Sequence, residues 1–335
     1  MNKISAKRLH WVDVVKGVLM LMVIWGHCDN QAISAGIDDP VVANLCWIEH
    51  TWAPYFMCAF FVITGYCSNF NKTFNLFIIS KIKSLIIPAV SIGILLNLAF
   101  DGGGIFDVIR IIPHTLLFGP VWFLAALFIA CIIYYFINKY LTNCWQRYIT
   151  LVLLVIMGLS LNLYVPSSIK IWYLPHALIL TPFLEIGSYF KVHNNIFKKS
   201  IVLISVFVYT ATLLLIFLIS DFDKIGIYRK ITITWFTLLP CYACSVTGSV
   251  LIINVGKLID NSQILEYIGK NSILFYLLNY TLLGLYFDIY HSLFGINVIQ
   301  STVGFLTVYV ATIITIAIVS KIMNIKYISY LIGKF

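Results

Sequence analysis

The sequence predicts an all-α, polytopic integral membrane protein with about ten transmembrane helices, folded as a single domain over residues 1–335. Of the 335 residues, 61% are hydrophobic and only 10% are charged, and the mean hydropathy is +0.96. A soluble domain carries about 25% charged residues. Apolar runs near the ~20 residues needed to cross a membrane also recur along the whole chain. We place the predicted spans at residues 11–29, 53–71, 77–100, 118–138, 148–165, 172–190, 200–220, 231–253, 270–289 and 299–320.

Charge predicts the orientation of these spans. With the N-terminus in the cytoplasm, only five of the 22 Lys and Arg residues fall on the outer side, which leaves 17 on the cytoplasmic side. The outer five are Arg110, Lys170, Lys224, Arg229 and Lys230. Because cytoplasmic loops of membrane proteins are enriched in Lys and Arg, both termini are predicted to be cytoplasmic. The net charge of +9 then reflects membrane orientation, and we expect no nucleic-acid partner.

The first predicted span carries three ionisable residues on one face. Lys16 and His27 are eleven residues apart, which is about three helical turns, so their side chains project from nearly the same face about 16 Å apart. Asp13 falls within about 60° of this stripe. Ionisable side chains are costly at membrane depth, so this stripe predicts a functional site. The alternative is a polar pair satisfied within the helix bundle.

Other polar residues in apolar surroundings are weaker candidates, because each type also has an ordinary structural explanation. They are Thr64, Lys81, Lys83, Trp122, Asn271, Ser272 and Asn279. A small hydroxyl residue permits close helix packing, and an asparagine hydrogen-bonds a neighbouring helix. A lysine near the membrane surface orients the chain, and a tryptophan fits an aromatic belt.

The cysteines do not indicate a metal site. Cys241 and Cys244 form a CxxC pair inside a predicted span, without a second pair or a nearby histidine, so we expect no bound metal. Cys28 and Cys46 lie near the predicted outer face, and the sequence leaves open whether they form a disulfide.

Five short motifs, taken together and in order, resemble the acyltransferase-3 family, bacterial inner-membrane O-acyltransferases that modify surface glycans. They cover about residues 8–290: D-x-x-R/K-G with a later G-H, F-F-x-x-S-G-Y, a basic run before proline, W-F-L and G-K-N-S-I/L-x-x-Y. The matching residues are Asp13, Lys16, Gly17, Gly26 and His27, then Phe60, Phe61, Thr64, Gly65 and Tyr66, then Lys81, Lys83 and Pro88, then residues 122–124, then residues 269–272 and Tyr276. Lys16 and Thr64 stand where many members have Arg and Ser.

The resemblance implies a membrane O-acyltransferase that moves an acetyl or other acyl group from cytoplasmic acyl-CoA to a hydroxyl of a cell-surface polysaccharide or its lipid-linked precursor. It implies His27 and Asp13 as catalytic residues, with His27 as the base that activates the sugar hydroxyl. Lys16, Lys81 and Lys83 would bind the phosphates of the donor. The remaining pocket candidates are Thr64, Trp122, Asn271, Ser272 and Asn279.

The implied partners are acyl-CoA, a glycan or lipid-linked glycan acceptor, and membrane lipids. Acetyl-CoA is expected as a co-substrate, with no resident cofactor and no metal. The implied location is the bacterial cytoplasmic membrane. The alternative function is a transporter or flippase of a glycan or lipid, because such proteins also carry ionisable residues on midplane helices. A membrane receptor or assembly factor is a third possibility. The acceptor sugar, the acyl group and the oligomeric state are left open by the sequence.

Overall fold

The computed structural model describes residues 9–35, 39–100, 122–165, 173–193, 197–219, 234–295 and 302–334. These residues form helices joined by short turns, and no strand occurs among them. The α-helices are α1 (His10–Ala35), α2 (Pro40–Trp47), α3 (Phe56–Cys67), α4 (Phe74–Lys81), α5 (Ile87–Phe100), α6 (Trp122–Tyr140), α7 (Cys144–Tyr164), α8 (Leu174–His193), α9 (Lys199–Ile219), α10 (Leu238–Leu258), α11 (Gln263–Lys270), α12 (Ser272–Phe294) and α13 (Thr302–Met323).

Within the described ranges, eight helical segments are long and apolar enough to cross a membrane, which confirms the all-α polytopic fold. They are α1, the continuous α4–α5 segment Phe74–Phe100, α6, α7, α9, α10, α12 and α13. The other two predicted spans, 53–71 and 172–190, correspond to α3 and α8. Helix α3 has only 12 residues, and α8 contains Pro182, Glu185 and Lys191. The count of ten crossings and the cytoplasmic termini therefore stay predictions.

Helix α1 lies at the centre of the bundle, and α9 lies at its periphery. In the most apolar window of each span, 67% of α1 is buried but only 11% of α9. Helix α1 contacts α3, α10, α11, α12 and α13. Since α9 is apolar on nearly every exposed position, its surface is suited to contact lipid. The stripe of ionisable residues predicted on α1 is thus carried by the most buried of the eight candidate spans.

Two glycines fix a close antiparallel crossing between α1 and α11. A Cβ added at Gly17 would lie 2.1 Å from the Leu265 carbonyl oxygen, and one added at Gly269 would lie 1.7 Å from that of Asp13. No side chain fits at such distances, so each glycine admits the backbone of the other helix. The crossing holds the Lys16 end of α1 against the rest of the bundle.

A second crossing of this kind joins α3 to α8. A Cβ at Gly65 would meet the Leu184 carbonyl oxygen at 2.2 Å, and one at Gly187 would meet that of Val62 at 1.9 Å. This contact explains why α3 is buried on almost every side although it is short. It brings α3 into place beside α1, where both helices line the cavities described below.

Glu185 connects α8 to two further helices. Its Oε2 atom lies 2.5 Å from Arg147 Nη2 of α7 and accepts a hydrogen bond of 2.6 Å from the hydroxyl of Tyr134 on α6. A carboxylate that is largely removed from water needs such partners, because an unpaired charge is costly in apolar surroundings. Glu185 therefore has a structural role at the junction of α6, α7 and α8.

Candidate active site

A cavity of about 320 Å³, which we call the lysine cavity, opens beside the first half of α1. Its walls come from α1, α3, α4 and α6 and from the turn between α3 and α4. The polar residues that line it are Lys16, Thr64, Ser68, Asn69, Lys72, Ser80, Lys81 and Ser84. Three ammonium groups with hydroxyl and amide side chains form a site suited to an anionic, phosphate-bearing ligand.

Neighbouring side chains hold the lysines of this cavity in place. Lys16 Nζ lies 3.7 Å from Asp13 Oδ1, three residues earlier on α1. Lys81 Nζ donates a hydrogen bond of 2.8 Å to Ser68 Oγ and lies 5.5 Å from the centre of the Phe77 ring. Lys191 of α8 donates to the Ser68 carbonyl oxygen at 2.9 Å. Positive charge is thus concentrated where the turn after α3 meets α1 and α4.

The structure separates Lys81 from Lys83, which the sequence analysis groups together. After Lys81 the helix forms a π-helical turn, Ile82–Ile86, and Lys83 lies within it on the exposed surface. Lys83 does not line the lysine cavity. Its carbonyl oxygen instead lies 1.7 Å from where a Cβ at Gly333 would be, so the C-terminal turn packs on this side. π-turns often occur at functional sites, and this one starts directly after a cavity residue.

A second cavity of about 360 Å³, which we call the histidine cavity, lies beside the later part of α1. It is lined by Val23, Gly26, His27, Asn30, Glu49, Phe56, Met57, Trp122, Tyr173, His176 and Tyr276. More than half of these lining side chains carry a ring, whereas the first cavity is lined by three flexible lysines. The Trp122 and His176 rings are 5.5 Å apart, and the Tyr276 hydroxyl accepts a bond of 3.4 Å from the Phe123 backbone N–H.

His27 is partly buried in the wall of this cavity and contacts α12. Its ring lies edge-on to that of Tyr280, with the centroids 5.6 Å apart and an interplanar angle of 79°. Because α1 is one continuous helix from His10 to Ala35, the predicted spacing of about 16 Å between Lys16 and His27 holds along its axis. One helix therefore contributes a lysine to the first cavity and a histidine to the second.

The predicted site residues divide between these places. Lys16, Thr64 and Lys81 line the lysine cavity, and His27 and Trp122 line the histidine cavity. Asp13 is 3% exposed and lies beside Lys16, about 21 Å along α1 from His27. The structure thus brings Asp13 together with Lys16 and not with His27.

The three predicted residues near α12 lie outside the lining of both cavities. Asn271 accepts a hydrogen bond of 2.9 Å from Asn324 and donates one of 2.9 Å to the Tyr267 carbonyl oxygen. Ser272 begins α12. Asn279 is fully buried and donates to the carbonyl oxygens of Phe275 and Tyr276 at 2.7 Å each. Asn271 thus bonds to the preceding helix α11 and to Asn324, which follows α13. Asn279 donates to carbonyl groups of its own helix.

Several lining residues are not among the candidates from the sequence, notably Lys72 in the lysine cavity and Glu49 and His176 in the histidine cavity, whereas Tyr276 belongs to the last of the five motifs. Lys72 stands close to Lys81 in sequence and has the same charge, which is a usable signal. Glu49 lies in the turn Ile48–Thr51 that follows α2, within a segment, residues 41–52, whose sequence is apolar enough to predict a short interfacial helix. Only the tertiary fold brings it beside α1.

The metal and cysteine predictions concern side chains that the structure describes. In the described ranges no group of three or more His, Cys, Asp and Glu side chains is arranged to hold a metal ion. Cys28 and Cys46 are both buried and carry free thiols in this structure. Cys241 and Cys244 are likewise free and buried in α10, where they act as small apolar side chains.

A family model described as an acyltransferase domain, of the acyltransferase-3 type, matches residues 9–321. The chain belongs to the acyltransferase-3 family. The match contains both cavities and every helix from α1 to α12, so the resemblance seen in five motifs extends over nearly the whole chain. Searches of curated proteins and of solved structures return no match. Together with the eight apolar helical segments of the described ranges, family membership makes this acyltransferase-3 protein a membrane acyltransferase.

Proposed function

We propose that this protein transfers an acyl group, in the simplest case acetyl, from acyl-CoA to a hydroxyl of a cell-surface polysaccharide or its lipid-linked precursor, in the bacterial cytoplasmic membrane. One observation carries the proposal: α1 joins a cavity lined by three lysines to a cavity that contains His27. The two residues are about 16 Å apart along the helix. This is the order of length that a pantetheine arm covers between the CoA phosphates and the thioester.

The donor is assigned to the lysine cavity. Charge-assisted hydrogen bonds from lysine to phosphate are among the stronger polar contacts in proteins. Lys16, Lys72 and Lys81 would bind the phosphates, with Thr64 and Ser68 as further donors. Lys83 would contribute from the exposed surface of the π-turn. Asp13, predicted to be catalytic, is better suited by its place to align Lys16 for the phosphates.

The acceptor is assigned to the histidine cavity. Ligand cavities commonly combine apolar and aromatic walls with a few polar groups that fix orientation. Trp122, Tyr173 and Tyr276 offer such walls, and Asn30 and His176 offer polar groups. A sugar ring has apolar faces and a polar rim, so this lining supports a carbohydrate acceptor.

His27 is assigned as the general base. It takes the proton of the acceptor hydroxyl while the hydroxyl oxygen attacks the thioester carbonyl carbon. The carbon–sulfur bond then breaks, the proton passes from His27 to the departing CoA sulfur, and an ester and CoA thiol are formed. Proton transfer by a positioned histidine typically contributes about 10²–10⁴-fold to such a rate.

The proposal is tested by incubating the purified protein with acetyl-CoA and polysaccharide extracted from cells that lack the gene. We expect CoA thiol release that depends on the polysaccharide, and a matching mass increase of the glycan. His193→Ala is a suitable control, because this histidine is exposed on α8 outside both cavities. A transporter or flippase would release no CoA thiol under any of these conditions.

The orientation is proposed from the charge bias, with the lysine cavity facing the cytoplasm. Cys67 and Cys144 are the exposed native cysteines of the described ranges, and both fall on the predicted cytoplasmic side. A membrane-impermeant maleimide applied outside should therefore miss them and label Val41→Cys near α2, which is 52% exposed. A second pair of cysteine positions tests the same orientation: labelling from outside should reach the loop at 101–104 and miss residues 198–200. The first of these two positions lies outside the described residues. Outside labelling of Cys67 would contradict the orientation.

A further inference from the structure

Glu49 is a buried carboxylate in the histidine cavity that no step so far uses. Its exposure is 3%, and it lines the same cavity as His27. A carboxylate at this depth is costly unless cationic or hydrogen-bond-donating groups face it. Among the described lining residues, the side chains able to do so are those of His27, Asn30, Trp122, His176 and the two tyrosines. Glu49 therefore sets the electrostatics of the cavity in which His27 acts.

Gly26 brings this carboxylate close to His27. A Cβ added at Gly26 would lie 2.8 Å from Glu49 Oε1 and 3.2 Å from Glu49 Cδ. The carboxylate thus occupies the space that a side chain at position 26 would take, beside the residue that immediately precedes His27. At this position the glycine admits a functional group, whereas Gly17 admits the backbone of another helix.

The turn that carries Glu49 is held from several directions. Asp39 caps α2 by accepting a hydrogen bond of 2.8 Å from the Val41 N–H, with Pro40 in the first turn. Trp25 Nε1 of α1 donates 3.1 Å to the Leu45 carbonyl oxygen, and the Tyr209 hydroxyl of α9 donates to that of Thr51. A carboxylate on so restrained a turn is preorganised toward α1.

We propose that Glu49 is the positioning residue of His27: its carboxylate orients the imidazole and stabilises the imidazolium that forms when His27 takes the acceptor proton. This inference rests on the proposed function. The other acids of α1 are less suited. Asp13 lies about 21 Å away along the helix. Asp29 is two residues beyond His27, so it points to another side of α1, and it does not line the cavity.

The test compares Glu49→Gln, Glu49→Asp, Gly26→Ala and Asp39→Asn with the wild type in the acetyl-CoA assay with extracted polysaccharide. Glu49→Gln keeps the shape and removes the charge, so we expect kcat to fall by roughly 10–100-fold, as when the carboxylate partner of a histidine is removed. The KM for acetyl-CoA should stay within about twofold, because the donor lysines are untouched. Glu49→Asp should recover part of kcat.

Gly26→Ala tests the same contact without altering either acid or base. The added methyl group should displace the carboxylate and lower kcat, while the thermal midpoint changes little because the opposing atoms belong to a side chain. Asp39→Asn removes a carboxylate ten residues earlier and outside the cavity, and because asparagine caps a helix about as well as aspartate, the restraint on the Glu49 turn is retained and kcat should stay at the wild-type value.

Wild-type kcat in Glu49→Gln would overturn the inference, as would an equal loss in Asp39→Asn or a loss expressed only in KM. If Glu49→Gln does not fold, unchanged kcat in a folded Gly26→Ala protein would overturn it instead. These outcomes differ from failure of the proposed function, in which the wild-type protein itself releases no CoA thiol.

Discussion

The two ends of α1 each place a proposed site residue next to a glycine, but the two glycines have different neighbours. Gly17 follows Lys16 and meets the backbone of α11, whereas Gly26 precedes His27 and meets the carboxylate of Glu49. A backbone contact fixes the position of a helix, whereas a side chain in the same place can contribute a reactive or charged group. The lysine end is therefore the more sensitive to any added volume, and the histidine end is the more sensitive to a change of charge.

The cavities at these two ends differ in the same sense. The lysine cavity has three ammonium groups on flexible side chains, which suits a ligand recognised by its charge. The histidine cavity has rigid rings and a buried carboxylate, which suits a ligand recognised by shape and a reaction that moves a proton. This division predicts that substitutions in one cavity change KM for the donor, and those in the other change kcat.

The largest effect is expected for His27→Ala. Loss of the proposed base should lower kcat by about 10²-fold or more, while the KM for acetyl-CoA changes little. The protein should still insert and fold, since His27 is only partly buried. Steady-state kinetics on purified protein, with a thermal melt to verify folding, checks this. Normal glycan acetylation by a well-expressed His27→Ala protein would contradict the assignment of His27 as the base. It would also contradict the separate roles proposed for the two cavities.

The next effect is expected for the lysines, as a rise in the KM for acetyl-CoA. Each charge-assisted contact to phosphate is worth roughly 1.5–3 kcal/mol, so Lys16→Ala or Lys81→Ala should raise KM about tenfold or more. Lys83→Ala should have a smaller effect, because Lys83 lies on the exposed surface outside the cavity lining. Lys16→Arg should be the mildest change at position 16, because the charge is kept.

The comparison between Lys81 and Lys83 is informative because the two residues are matched in type and nearly in position. If these lysines served only to orient the chain, all the alanine variants would alter insertion and none would alter the KM of correctly inserted protein. An equal rise in KM for Lys81→Ala and Lys83→Ala would contradict the assignment of the donor to the lysine cavity.

The sequence was sufficient for the fold class and for the Lys16–His27 pair, because both depend on local periodicity. Apolar length predicts spans, and a helical repeat places residues 16 and 27 on one face whatever surrounds them. Helix α3 is predicted as a full span because residues 52–55, just before it, extend its apolar run, whereas in the structure it is a 12-residue buried helix that packs against α8.

Contacts between distant segments were beyond the reach of such patterns. Glu49 reaches position 26 through a turn whose path depends on Trp25 and Tyr209, and no repeat or spacing encodes that contact. The separation of Lys81 from Lys83 depends on a π-turn, which has no simple sequence signature. The hydrogen bond between Asn271 and Asn324 is likewise not encoded in a local pattern, because the two residues are 53 positions apart.

A smaller effect, on stability, is expected for Gly17→Ala. The new methyl group would overlap the Leu265 carbonyl oxygen, so α11 must move away from α1, at a cost of roughly 1–3 kcal/mol as for other overpacked positions. Gly284→Ala on α12 is the matched control, because an added Cβ there has no neighbour within 4 Å. The thermal midpoint in detergent should fall for Gly17→Ala and not for Gly284→Ala. Equal midpoints would mean that the α1–α11 crossing yields as easily as the contact at Gly26.

The smallest effect concerns pH and the start of α1. There Oε1 of Glu266, on α11, lies 2.5 Å from Lys270 Nζ and 2.8 Å from His10 Nδ1. Towards the far end of α1, by contrast, the ring of Trp25 packs against those of Phe305 and Tyr309. The hydrogen bond from Lys270, and then that from His10, holds the pKa of Glu266 below its ordinary value.

A carboxylate whose pKa is lowered by folding stabilises the folded state above its unfolded pKa, which is about 4.3 for Glu. This contribution is lost as the pH falls through the lower, folded value. The thermal midpoint of the wild-type protein should therefore exceed that of Glu266→Gln at neutral pH by a small margin that shrinks once the pH falls below about 4. A Trp25→Phe protein keeps all the groups that titrate at the start of α1, so its deficit relative to the wild type should not shrink in this way. A margin for Glu266→Gln that stayed constant with pH would show that the charge of Glu266 does not stabilise the start of α1.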